Sequence, residues 1–127
     1  MARVLYKKLK MELFAVCRKN VDLNDNSIFY SVYVPGIECA IGTGETKEEA
    51  IDEVEGKLPE LLDHIVQWEK DLVVCSYEDA EHIGRSQKDD PDLIHMLNKE
   101  SSFETVVCVK VKHDAFDSYK NLKPFCL

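Results

Sequence analysis

Groups that could do chemistry are few in this chain and widely spaced. Four histidines (His64, His82, His95, His113) and five cysteines (Cys17, Cys39, Cys75, Cys108, Cys126) are the candidate soft metal ligands. No C-x-x-C pair occurs and no two histidines stand four apart; only Glu60 and His64 are spaced to share one helical face. A structural zinc draws on four converging ligands, which this spacing does not offer. The run Asp89-Asp90-Pro91-Asp92 lacks the glycine and the twelfth-position glutamate of a calcium loop. A proline directly behind an acid reads instead as a helix start.

Nucleophilic and hydrolytic chemistry fare no better. There is no G-x-S-x-G elbow. Cys17, Cys39 and Cys108 lie in apolar runs that read as strands, where a thiol behaves as a small core residue. Gly42-Thr43-Gly44 is too short to cradle phosphate and reads as a tight turn needing positive φ. Metal-dependent phosphodiester hydrolysis needs several strand-borne carboxylates pointing together, and the candidate strands carry only Glu12, Glu38 and Glu104. The expectation is a non-enzymatic protein with no catalytic residue, metal or cofactor.

Charge is the stronger signal. The 127 residues carry 24 acids against 16 bases, a net charge of −8 at pH 7. It is unevenly spread: residues 1–20 are at +5, 21–70 at −9, 71–103 at −5 and 104–127 at +1. An acidic surface repels phosphate backbones, so a basic protein partner is favoured over nucleic acid. No apolar run approaches the roughly 20 residues of a membrane span, and the start carries Arg3, Lys7, Lys8 and Lys10 in place of a signal-peptide apolar core. With an odd cysteine count that suits a reducing compartment, the expected location is cytoplasmic.

The elements that must carry these groups alternate in period. Met11 to Arg18 reads as a strand and ends in the polar, Asn/Asp-rich turn 19–27. Ile28 to Val34 is the densest strand signal and stops at Pro35-Gly36; Ile37 to Ile41 reads as a third strand. Thr46 and Glu49 then make an S/T-x-x-E capping box. Behind it Ala50, Val54, Leu58, Leu61, Leu62, Ile65, Trp68 and Leu72 recur at helical spacing. Pro59 inside that stripe predicts a kink, or a second helix opening there.

Leu72 to Ser76 reads as a short strand, Tyr77 to Asp90 as loop with a helical turn, and Asp90 to Lys99 as a short helix. Phe103 to Lys112 alternates, with Val107, Val109 and Val111 on one face and Lys110 and Lys112 guarding an edge. Ala115 to Leu122 reads as a short helix in the tail, and Arg3 to Lys10 as a basic amphipathic arm.

The run Phe29 to Asp52, FYSVYVPGIECAIGTGETKEEAID, resembles the HicB-type antitoxin domain. Its pattern is a strand ending in proline, a loop to a Gly/Cys position, a second strand and then G-[DE]-T-x-E-E-A. Pro35, Gly36, Cys39, Gly44, Glu45, Thr46, Glu48, Glu49 and Ala50 supply the turn residues, cap and helix start at that spacing. These positions report fold, not an active site.

The resemblance implies an α+β domain: a small antiparallel sheet packed by one long kinked helix, β-β-β-α-β, a partial ribonuclease H-like arrangement. One domain over 1–127 is expected, with a core at about 11–72 plus the strand 103–112, an insertion at about 73–102 before that last strand, and a helical tail at 113–127. The family usually continues into a promoter-binding domain, for which no second helix or basic recognition element is legible here. It implies the antitoxin of a two-gene system, neutralising a small basic toxin that cleaves messenger RNA. The alternative is a free-standing acidic inhibitor, of phage or mobile-element type, that mimics nucleic acid toward a larger nuclease. In either case the outward helix acids Glu48, Asp52 and Glu55 are the candidate contact residues. Exposed strand edges on a small open sheet also predict a homo-oligomer.

Overall fold

The computed structural model describes residues 11–67, 72–87, 98–111 and 122–124. In chain order the elements are β1 (Met11–Asp22), β2 (Ile28–Tyr33), β3 (Ile41–Gly44), α1 (Lys47–Gln67), β4 (Leu72–Val74), α2 (Tyr77–Ser86), β5 (Lys99–Val111) and β6 (Leu122–Pro124). Four strands form one antiparallel sheet in the order β3-β2-β1-β5, so the last long strand pairs with the first. β4 and β6 form a separate parallel pair. The class is α+β, as expected. Among the described residues no helix is long and apolar enough to cross a membrane.

The β1–β2 hairpin closes through the acid-rich turn. Asp22 Oδ1 accepts from the Asn24 amide at 2.9 Å, Asp25 Oδ1 accepts from the Ser27 amide at 2.9 Å, and Asn26 takes a left-handed φ of 61°. These are the short-range side-chain bonds that make Asn and Asp turn residues.

Period two along β1 divides the core between the two faces of the sheet. Leu13, Ala15 and Cys17 face α1 with Val32, Val34, Val109 and Val111, and the helix lays Ala50, Val54, Leu58 and Leu62 onto them. All four helix residues are fully buried, so the stripe read from the sequence is the contact stripe from Ala50 to Leu62; Trp68 lies outside the described residues, and Leu72 opens β4 instead of continuing the helix. Phe14 and Val16 face the other way, where α2 covers them with Ala80 and Ile83. The sheet is thus sandwiched, and its second cover comes from the segment expected as an insertion.

Several expectations are corrected. The third strand is Ile41–Gly44, not Ile37–Ile41. Residues 35–39 are a turn in which Gly36 has φ 90° and Cys39 φ 65°, closed by the Val34 amide donating to the Ala40 carbonyl at 2.9 Å. Gly42 and Gly44 therefore lie in a strand, and neither has positive φ. Their role is clearance: a Cβ on Gly42 would stand 2.6 Å from the Val54 amide nitrogen, and one on Gly44 2.9 Å from that of Ala50. The absence of side chains lets α1 lie directly on β3.

Cys39 and Cys108 are exposed rather than core residues, whereas Cys17 and Cys75 are buried. α1 is one 21-residue helix with Pro59 inside it, so no second helix opens there. Tyr77–Ser86 is a ten-residue helix rather than a loop with one turn. Strand β5 starts at Lys99, where a helix was expected to end, and Leu122 opens a strand. The predicted arm 3–10, most of the predicted helix 90–99 and the tail 115–121 lie outside the described residues.

Candidate functional site

The helix start forms as its residues dictate, with one shift. Thr46 Oγ1 accepts from the Glu49 amide at 3.1 Å, satisfying a first-turn N–H that has no helical partner. The reciprocal bond is donated by the amide of Glu45, one residue before the cap, to Glu49 Oε2 at 2.8 Å. Ala50, next in the motif, is fully buried beneath the helix, and Pro35 is buried at the end of β2. The motif residues thus set a turn, a clearance and a cap that together fix how α1 leaves the sheet.

That docking decides which acids face water. Glu48, Glu49, Asp52, Glu53 and Glu60 are exposed along α1. Glu49 is held by the cap, and Glu53 pairs with Lys57 at 3.4 Å one turn on. Lys57 also donates to the Ile41 carbonyl at 2.8 Å, tying the helix to β3. Glu48 and Asp52 meet no partner among the described residues, so they are the carboxylates free to meet another molecule. Glu53 and Glu60 extend the acidic row beyond the residues singled out by sequence; their position follows from the stripe opposite, which the apolar spacing already contained.

Glu55 differs from its two companions. It is half-buried, and its Oε2 accepts from the backbone amide of Lys110 on β5 at 2.7 Å. The carboxylate reaches over the edge of the sheet and occupies a strand donor. Sequence placed Glu55 correctly on the helix but held no information that β5 would pass beneath it.

The second face carries a buried polar group that sequence reading missed. Arg18 is only 1% exposed. It donates from Nε to Ser101 Oγ and from a terminal nitrogen to the Gly84 carbonyl, each at 2.8 Å. The guanidinium thereby pins the end of α2 to the sheet. Beside it Asn20 Nδ2 donates to Ser31 Oγ at 2.9 Å, and the Tyr33 hydroxyl donates to Gln87. Phe103 packs where Gly84 leaves room, with the Arg85 guanidinium 5.1 Å from its ring centre. Cys75, on the same face, has its thiol pushed up to about 11 by burial and then by the nearby Asp79 charge, and so stays protonated at neutral pH.

The strand carboxylates do not converge. Glu12 stands opposite Lys110 near one end of the β1–β5 pair. Glu104 sits about five residues along, roughly 17 Å away at strand rise, and pairs with Lys47 at 3.4 Å. Glu38 is on the exposed turn. Among the described residues no three His, Cys, Asp or Glu side chains stand close enough to hold a metal ion.

No family model, no curated protein and no solved structure matches this chain. The likeness to HicB-type domains therefore rests on the motif residues themselves.

Proposed function

We propose that this chain is a non-enzymatic, HicB-like binding protein that neutralises a basic protein partner, as the antitoxin of a small toxin ribonuclease. The observation that carries the reading is the row of exposed acids on α1, with Glu48 and Asp52 meeting no partner among the described residues. A carboxylate with no partner in the free protein has no ion pair to break when a basic surface arrives, and a −8 chain steers such a partner in. The motif at 29–52 supports the family. In this reading the core has the partial ribonuclease H-like arrangement with α1 bent at Pro59, and the protein acts in the cytoplasm as a homo-oligomer.

A second reading, an acidic inhibitor of a larger nuclease by nucleic-acid mimicry, is favoured by α2. It belongs to the segment inserted relative to the HicB pattern, and it adds Glu78, Asp79 and Glu81 to the surface charge. The deciding experiment is purification of tagged protein from its native locus with its neighbouring genes, followed by intact-mass analysis of what accompanies it. A basic protein of roughly half this chain's size supports the antitoxin; a large nuclease supports the mimic; no protein at all overturns both.

A further inference from the structure

Among the described residues strand β5 is an edge of the four-stranded sheet, with β1 as its sheet neighbour. The Lys110 amide is bonded to Glu55, so that N–H points away from β1. Antiparallel strands alternate inward and outward backbone groups, which turns the amides and carbonyls of Val106 and Cys108 outward as well. The pairing register with β1 skips Glu104, a bulge that ends the regular stretch at Thr105. Beyond it the outward row is Val106, Cys108 and Lys110, with Cys108 at its centre and exposed.

We infer that this row is the homodimer contact: a second copy pairs its β5 antiparallel about a two-fold axis through Cys108, continuing the sheet across the pair. The row is self-complementary in that register. Cys108 faces its own copy and Val106 faces Lys110, so three residue pairs exchange six backbone bonds. The two Lys110 side chains stand about four residues apart along the pair, roughly 13 Å, beyond the screening length at physiological salt. The axis keeps both acidic α1 helices on one side, so salt tightens the association.

Glu55 is the guard of this edge. It holds the Lys110 donor at each end of the row, and each copy must give up that bond before the ladder closes. Native proteins protect edge strands with such charged side chains. The inference rests on the homo-oligomer part of the reading above and is independent of the inhibited partner.

The test is sedimentation equilibrium of the full chain and of Glu55→Ala, over a concentration range and at low and high salt. Removing two guarding bonds per dimer should tighten dissociation roughly tenfold. A Cys39→Ser/Cys126→Ser variant leaves Cys108 as the exposed thiol. Copper-phenanthroline in air should then link two copies, the two thiols giving two protons and two electrons to dioxygen through copper. Cα atoms in such a pair lie about 5.5 Å apart, within disulfide range.

Cys108→Pro, which removes the central outward donor and no ladder bond to β1, should leave a monomer. If that variant loses its circular dichroism, Cys108→Ser must abolish the cross-link while leaving dimerisation intact. Strict monomers for both wild type and Glu55→Ala overturn the inference, even if a toxin co-purifies. A dimer indifferent to Glu55→Ala and refractory to Cys108 cross-linking overturns the β5 contact while leaving the homo-oligomer standing. Cys108 shielded from alkylation only in the native-locus complex assigns the edge to the partner and overturns it as well.

Discussion

The same substitution, glycine to alanine, should have opposite signs at Gly42 and Gly56. At Gly42 the new methyl group enters the space between β3 and α1, 2.6 Å from the Val54 nitrogen and closer still to the Ala50 carbonyl oxygen. Both obstacles are helix backbone, which cannot rotate away as a side chain tip would, so α1 must lift along its buried stripe. Overpacking of this kind costs about 1–3 kcal/mol, and the rigid neighbours argue for the upper half, about 2–3 kcal/mol.

Gly56 sits on the exposed side of α1 with nothing within 4 Å of a built methyl group and without positive φ. Alanine there narrows the unfolded chain's freedom and should add about 0.5–1 kcal/mol. The two variants should therefore differ by about 3 kcal/mol. At about 4 °C per kcal/mol for a domain of this size, they should melt about 12 °C apart. Thermal and urea unfolding followed by circular dichroism measures both. A Gly42→Ala protein as stable as wild type would refute the clearance argument, and with it the claim that the glycines serve the helix rather than a turn.

Thr46→Ala should lower stability by about 1 kcal/mol in the same assay, because the first turn of α1 loses its accepting oxygen. Arg18→Ala should lower it by about 2–4 kcal/mol, since it empties buried volume and strips the Gly84 carbonyl of its donor. The Cys75 thiol is raised in the folded state, so its contribution is intact below about pH 9 and is lost as pH rises through about 11; Cys75→Ala should flatten the stability profile over that window. Charge reversal at Glu48 and Asp52 should weaken capture of the native-locus partner and reduce its salt dependence, whereas an unchanged salt series would remove the electrostatic contact. Replacing Glu12, Glu38 and Glu104 together by glutamine should leave partner capture unaltered; loss of a measured nuclease activity in that variant would reinstate a hydrolase.

Sequence alone determined what depends on neighbours along the chain. The Thr46–Glu49 cap, the Asp22–Ser27 turn and the stripe from Ala50 to Leu62 rest on side chains within a few residues of each other, so their spacing is their geometry. The alternation of Val107, Val109 and Val111 disclosed which face of β5 is buried for the same reason. Helix α2 was legible only as a helical turn in a loop: Ser76, whose hydroxyl accepts from the Asp79 amide at 3.1 Å, read as the end of a strand rather than as the cap it is.

What required the tertiary structure was every contact across long loops. Glycine at 42 and 44 is compatible with a turn or with a close approach, and only the helix lying 2.6 Å from a built methyl decides between them. Arg18 in a strand reads as a solvated charge until Ser101 and Gly84, 83 and 66 residues away, close over it. Glu55 reads as one more outward acid until Lys110, 55 residues on, offers its amide. Local propensity carries no record of which strand a helix will cross. Pairing β5 with β1, the farthest-separated long strands in the chain, placed one acid on the sheet's edge and left Glu48 and Asp52 exposed on the helix.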